Sequence, residues 1–265
     1  MVFKRLLASV GIGGPSIDTV LTDANVRPGG QVQGHIDLEG GEVESHINHI
    51  ALELRTRAEV ETNDGEARAT VDAGAVRLSG PFVLAPGERH RIPFSYPLSI
   101  QAPLTFAWGQ PLPGAELGLR TDLDIGGAID ATDLDPLAVH PLPAQQAVLD
   151  AIAGLGFSLM HSDVERGRIR GARQELPYYQ EIEFRPGPNY AGRMKELELS
   201  FVADAEGVLV VLEADKRGGL LTEGVDRVGG FRIPHQPPGN IAAQVQQQID
   251  KLVQRRAGLM GDLFG

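Results

Sequence analysis

The sequence predicts a mainly β fold, with an antiparallel β-sandwich followed by a second β-rich domain that carries one or two amphipathic helices. In the first half, runs of alternating apolar and polar residues recur at roughly ten-residue spacing between Gly- and Pro-containing turns, as in a sandwich. After residue 140, helical apolar stripes accompany further strands. We therefore predict a sandwich domain at 1–139, a β-rich domain opening with a helix at 140–217, and a Gly/Pro-rich loop with a C-terminal amphipathic helix and apolar tail at 218–265.

The composition narrows the classes of function. The chain has 265 residues, 42% of them hydrophobic, and no cysteine, so neither a disulfide nor a thiolate metal site is expected. Its net charge is −11, and residues 1–139 hold 10 Lys and Arg against 19 Asp and Glu, which disfavours nucleic acid and anionic lipid as partners. No apolar run has the length of a signal peptide or transmembrane segment, so a cytoplasmic protein is expected. No cofactor is predicted, because neither a P-loop nor a GxGxxG motif is present.

The first half is predicted to contain strands and no helix. Its clearest strand is 50–61, where Ile50, Leu52 and Leu54 alternate with Glu53 and Arg55, as in a strand with one buried face. Shorter runs of the same character predict strands at 17–22, 31–38, 76–78, 81–84, 91–98, 104–108 and 116–125. The first strand, if exposed, offers an edge through which a homodimer can form.

The second half opens with a predicted helix at 143–154, where Val148, Leu149 and Ile152 lie on one stripe. Strands are predicted at 157–164, 178–185, 196–203 and 207–215, followed by a long Gly/Pro-rich loop or linker at 217–239. Asn240 is a predicted N-cap for a second amphipathic helix, which we expect to end near Arg255 and Arg256.

Residues 119–135 form the densest acidic segment. Asp122 and Asp124 occupy alternate strand positions and are expected to share one face. Asp130, Asp133 and Asp135 follow in a predicted turn. These three carboxylates can either hold a divalent cation or accept hydrogen bonds from nearby backbone amides, and we favour backbone bonding because the spacing is not that of an EF-hand.

Two groups of residues are candidates for binding a protein partner. Arg166, Arg168, Arg170 and Arg173 lie between two predicted strands, where guanidinium groups suit an acidic or phosphorylated partner, although a solvated hairpin also carries such arginines. The tail residues Leu259, Met260, Leu263 and Phe264 either dock on a partner or pack locally.

The sequence offers no complete catalytic constellation. His46 and His49 are three apart on a strand and are expected to face opposite sides, which disfavours a shared metal. His161 and Asp163, two apart, share a face, but no nucleophile can be assigned to them, so a solvated pair is favoured over an acid/base dyad. The glycines at 11–14 lack the Lys-Ser/Thr pair of a phosphate-binding P-loop. We therefore predict no enzyme, with a hydrolase as the weaker alternative.

A series of short motifs runs along the first 216 residues: Ala8-Ser9-Val10-Gly11-Ile12-Gly13, Ile17-Asp18-Thr19, Arg27-Pro28-Gly29, Gly40-Gly41, Pro93-Phe94, Thr121-Asp122-Leu123-Asp124-Ile125, Asp130 with Asp133-Leu134-Asp135, Ala151-Ile152, Leu155-Gly156-Phe157, Gln180-Glu181-Ile182-Glu183-Phe184 and Glu213-Ala214-Asp215-Lys216. In their order and spacing, these motifs resemble the sporulation-control family written SpoOM. The insert at 108–114 and the extension after Arg217 depart from the pattern.

This resemblance implies an arrestin-like β-sandwich and a non-enzymatic regulatory or scaffolding role in bacterial developmental, cell-shape or division control. The partners that it implies are other proteins of unknown identity. A cation-dependent binding module built on the acidic segment remains the alternative.

Overall fold

The computed structural model describes residues 13–62, 65–214 and 228–261. The strands of these residues are β1 (Ser16–Leu21), β2 (Asn25–Val26), β3 (Gln31–Glu39), β4 (Ser45–Thr62), β5 (Gly65–Ser79), β6 (Phe82–Leu84), β7 (Arg89–Pro97), β8 (Phe106–Ala107), β9 (Gln110–Pro111), β10 (Leu117–Ile125), β11 (Ala131–Pro136), β12 (Ala138–Val139), β13 (Ser158–Arg166), β14 (Tyr178–Arg185), β15 (Leu197–Asp204), β16 (Gly207–Ala214) and β17 (Val228–Ile233). The helices are α1 (Pro143–Gly154) and α2 (Ile241–Gly261).

The described residues form two compact units, each built from several chain segments. Of the described residues, unit 1 contains 13–56, 70–99 and 116–138, and unit 2 contains 57–62, 65–69, 100–115, 139–214 and 228–261. The sequence predicts that one domain ends at residue 139 and the next begins at residue 140. That boundary between domains stays a prediction.

Unit 1 is a sandwich of two antiparallel sheets. One sheet has the strand order β1-β3-β7, and in the other β10 lies between β11 and β4, with β5 and β6 also paired to β4. The alternation seen in the sequence places the core, because every second residue of β10, and of β4 from Ile50 to Ala58, points inward. Ile36, Leu52, Leu54, Leu119 and Leu123 are all fully buried.

Hydrogen bonds link the two sheets of this sandwich. The buried hydroxyl groups of Thr19 and Thr121 lie 2.6 Å apart. The hydroxyl of Tyr96 donates to the carbonyl oxygen of Gly74 at 2.7 Å. Burial, reinforced by the charge of Glu53, raises the pKa of Tyr96 to about 12, so this hydroxyl keeps its proton at neutral pH.

Unit 2 contains an antiparallel sheet in which β13, β14, β15, β16 and β17 lie side by side in chain order. Two helices pack against this sheet. Helix α1 begins where Pro143 pre-sets the backbone and the side chain of Gln145 accepts a hydrogen bond from the amide of Leu142. Its apolar stripe, with Val148 and Ile152, is fully buried, as are Val245 and Ile249 of α2. The two helices contact each other, and both contact β16.

The mainly β class is confirmed, and α1 has the predicted bounds. Four local predictions are wrong. The predicted turn around Asp133 is strand β11, part of the predicted loop 217–239 is strand β17, β5 begins at Gly65 rather than near residue 76, and α2 continues past Arg256 to Gly261. Neither helix of the described chain has the length and apolar character needed to cross a membrane.

Candidate functional site

The predicted cluster of arginines lies on a loop that joins neighbouring antiparallel strands. We name residues 166–177 the arginine loop, which consists of the last residue of β13 and the connection to β14. Arg166 pairs with Tyr178 across the two strands, and the amide of Gly167 donates to the carbonyl oxygen of Pro177 at 3.1 Å, so the base of the loop is closed. All four arginines are exposed.

One buried glutamine holds the arginine loop in shape. The Nε2 group of Gln174 donates to the carbonyl oxygens of Gly167, Leu176 and Tyr178, at 2.7, 2.8 and 3.0 Å. Its Oε1 atom accepts a hydrogen bond from the amide of Ile169 at 3.0 Å. These backbone groups come from both ends of the loop. The side chain of Gln174 provides the hydrogen-bond partners that a strand would provide in a sheet.

Apolar contacts anchor the same loop. Ile169 is 5% exposed and packs in a cluster with Tyr179, Val202 and Val211, against which Ala172 also packs. The loop is therefore fixed by polar contacts within it and by apolar contacts to the sheet. Its arginines are displayed from a defined backbone.

The four arginines differ in what engages them. Arg168 donates through Nη1 to the carbonyl oxygen of Gln174 at 2.7 Å, so it contributes to the shape of the loop. Arg173 lies 3.5 Å from Glu206, and both side chains are largely exposed, which makes that ion pair weak. Within the described residues, no hydrogen bond or ion pair engages the guanidinium groups of Arg166 and Arg170. These two groups are the ones available to an incoming anion.

The acidic segment is occupied with backbone and side-chain contacts. Asp130 accepts a hydrogen bond from the amide of Ile125 at 3.0 Å. The two carboxylate oxygens of Asp133 accept from the amides of Thr19 and Leu134, at 2.7 and 2.9 Å. Asp135 stands opposite Leu119 on the neighbouring strand. Both carboxylate oxygens of Asp133 already accept hydrogen bonds from backbone amides, so this geometry does not support a cation site. Cation binding by these aspartates stays a prediction.

Asp122 and Asp124 share one half-buried face of β10, as predicted. Asp122 accepts a hydrogen bond from Arg120 at 2.5 Å, and Asp124 lies 3.1 Å from the Nδ1 atom of His49. The strand register shifts next to this contact, so Ile47 and the residue three positions further on, Ile50, are both buried. Because Ile47 and Ile50 both point inward, the neighbouring His46 and His49 both lie on the outer face of β4. The prediction that the two histidines face opposite sides is therefore wrong, since it assumed a strand without a bulge.

Other carboxylates converge in unit 2. One oxygen each of Glu59, Asp163 and Glu165 lies within 4.8 Å of the others, and all three residues are half-buried. Pairing of Glu59 with Glu165 brings together residues that are far apart in sequence, which is why no local motif revealed them. Arg68 donates two hydrogen bonds of 3.1 Å to Glu59, so part of this negative charge is already balanced.

His161 and Asp163 lie on the same face of β13, as expected. The ring of His161 is packed against Gly114, where φ is +85°, and a Cβ atom at that glycine would lie 2.0 Å from the Cε1 atom of the ring. The ring of His161 therefore lies in close contact with the last residue of the insert.

The predicted tail residues are placed only in part. Leu259 and Met260 belong to α2 rather than to a tail, and Leu263 and Phe264 lie outside the described residues.

These features define the class of the protein: a mainly β protein of two units with an ordered cationic loop. Residues 3–218 match the family model described as SpoOM protein. The sporulation-control protein spo0M of Bacillus subtilis (strain 168) is 38% identical over 216 residues, which is 81% of each chain. A crystal structure of Spo0M, sporulation control protein, from Bacillus subtilis matches with a TM-score of 0.75 and 29% identity over 92% of this chain and 100% of that one. The chain belongs to the SpoOM family, which confirms the resemblance read from its motifs.

Proposed function

We propose that this protein is a non-enzymatic regulator of the sporulation-control type, which acts in the cytoplasm by binding other proteins. Membership of the SpoOM family supports the regulatory part of the proposal, because the Bacillus subtilis relative is a sporulation-control protein. The arginine loop supports the binding part. Regulation of development or division then depends on which partner segment the loop recognises.

The observation that carries the proposal is the pair of unengaged guanidinium groups on an anchored loop. A guanidinium group binds a carboxylate or phosphate through two parallel hydrogen bonds. Gln174 and Ile169 fix the backbone that carries Arg166 and Arg170, so little ordering is needed when a ligand binds. We therefore propose an anionic partner segment, with a phosphorylated peptide as its strongest form.

A peptide titration tests this proposal. We expect a phosphoserine peptide to bind the full chain in calorimetry, with an affinity that falls as salt is added. The double variant R166E/R170E should weaken binding about tenfold or more, because it removes charge-assisted hydrogen bonds and adds repulsion. R185E is the matched control, since Arg185 is exposed at the far end of β14. Equal losses in both variants would contradict a role for the loop.

Homodimerisation through the first strand is a separate proposal. β1 is an edge strand of its sheet, but the amide of Thr19 in its middle already donates to Asp133. A second copy pairing there would have to displace this carboxylate. We expect D133A to associate more strongly than the unaltered chain in sedimentation, and equal association of the two would argue against this edge.

A further inference from the structure

Unit 1 exposes three large apolar side chains on neighbouring chain segments. Val43 is 68% exposed, Val83 50% and Ile129 77%. Exposing apolar surface to water is unfavourable. A contiguous group of exposed apolar side chains therefore marks an interaction site more often than a single one does.

Strand pairing places these three residues at one end of the sheet. Val83 on β6 stands directly opposite His46 on β4. On the other side of β4, the amide of Gly126 donates to the carbonyl oxygen of His46 at 2.8 Å, and Ile129 follows in the same connection. Val43 comes just before β4 begins. Because adjacent strands are about 4.8 Å apart, Val83 and Gly126 lie about 10 Å from each other across β4, and Val43 and Ile129 each lie within three residues of this row.

The formally charged side chains that these chain segments carry are all carboxylates. Glu42 and Glu44 flank Val43, and Asp130 follows Ile129. The segments 41–50, 80–84 and 124–131 contain no lysine or arginine. We name Val43, Val83, Ile129, Glu42 and Glu44 the apical patch, which is an apolar surface bordered by carboxylates.

We infer that the apical patch is a docking surface for a basic, apolar protein segment, such as a cationic amphipathic helix. The apolar side chains of such a helix would cover Val43, Val83 and Ile129 while its lysines face Glu42 and Glu44. The same carboxylates would repel an anionic membrane surface, so a protein segment fits better than lipid. The inference rests on the proposed function as a protein-binding regulator, and it names a second surface whose charge preference is opposite to that of the arginine loop.

The test uses the full chain and two synthetic peptides of equal charge, one of Leu and Lys and one of Ser and Lys. In an NMR titration we expect the Leu/Lys peptide to shift the amide signals of residues 42–46, 83 and 126–130. The Ser/Lys peptide should bind about tenfold more weakly, because it buries no apolar surface.

Variants locate the contact. V43S/I129S should weaken the Leu/Lys peptide about tenfold or more, and E42K/E44K should weaken both peptides. L134S is the matched control, because Leu134 is also 50% exposed but lies on β11. Shifts that map elsewhere, an equal effect of L134S, or equal binding of both peptides would overturn the inference. The phosphopeptide experiment is independent, so its success together with such a result would overturn the apical patch alone.

Discussion

Replacing Gln174 by alanine tests whether the shape of the arginine loop depends on one side chain. The substitution removes one acceptor from the amide of Ile169 and the donor that serves Gly167, Leu176 and Tyr178. The residue is only 9% exposed, so water cannot simply take its place while the loop stays closed.

The expected cost follows from the hydrogen bonds. The side-chain amide has two hydrogens for three carbonyl oxygens, so one of these bonds is shared and about three net bonds are lost. At about 0.5–1.5 kcal/mol each, the loop should be destabilised by about 2–4 kcal/mol relative to its open form. The loss is local, because an opened loop can hydrate its backbone while the sheet of unit 2 persists.

Hydrogen exchange with residue resolution measures this loss. We expect the amide of Ile169 to exchange about 30-fold faster or more in Q174A, while amides of β15 and β16 keep their protection. The phosphoserine peptide should bind about tenfold more weakly, since its binding must then also order the loop. Q33A is the matched control, because Gln33 is exposed on β3 and its loss should change neither measurement.

Unchanged protection of Ile169 in Q174A would refute this reasoning, because it would show that the apolar cluster alone fixes the loop. Faster exchange throughout unit 2 would refute it in the other direction, by showing that the loop and the sheet open together.

Three further predictions concern unit 1 and the acidic segment. Y96F should cost about 1 kcal/mol in denaturant unfolding at neutral pH by removing the bond to Gly74. The pKa of Tyr96 is raised to about 12 from an unfolded value of about 10, so its contribution to folding stability should be complete below pH 10 and lost as the pH rises towards 12. The free energy of unfolding of Y96F should therefore fall less steeply with pH in this range, and an equal fall would contradict this. D133A should be destabilised by about 1–3 kcal/mol and D133N by less, since asparagine keeps an acceptor for the amide of Thr19, and equal losses would refute the bond. EDTA should leave the Tm unchanged, whereas a fall that calcium reverses and that D133N abolishes would restore the cation hypothesis.

The sequence predicted the strands whose two faces differ in polarity. The alternation of Leu52 and Leu54 with Glu53 and Arg55 is what buries one face of β4, so the pattern and the structure have the same cause. The predicted helix α1 follows from a proline start and a 3.6-residue stripe in the same way.

Elements stabilised mainly by their neighbours escaped prediction. β17 contains Gly229 and Gly230, which are typical of loops, but its backbone is paired with β16. In β5, Ala69, Val71 and Ala73 alternate with polar residues, but these positions are small and only half-buried, and alanine is a weak strand former, so the pattern does not stand out as a strand. Asp133 was assigned to a turn because aspartate is common there, although pairing with Thr121 on β10 makes it part of a strand.

The sequence predicts which charged residues the candidate site contains, but not how the loop that carries them is held. The four arginines are visible in the sequence, whereas nothing near Gln174 indicates that its side chain reaches backbone groups at both ends of the loop. The same holds for Glu59 and Glu165, which strand pairing alone brings together.

Complementation tests the central claim most directly. In a Bacillus subtilis strain that lacks Spo0M, the chain and its R185E variant should restore the sporulation frequency, while R166E/R170E, present in equal amount by immunoblot, should not. Full restoration by R166E/R170E would contradict the claim that this regulator acts through its arginine loop.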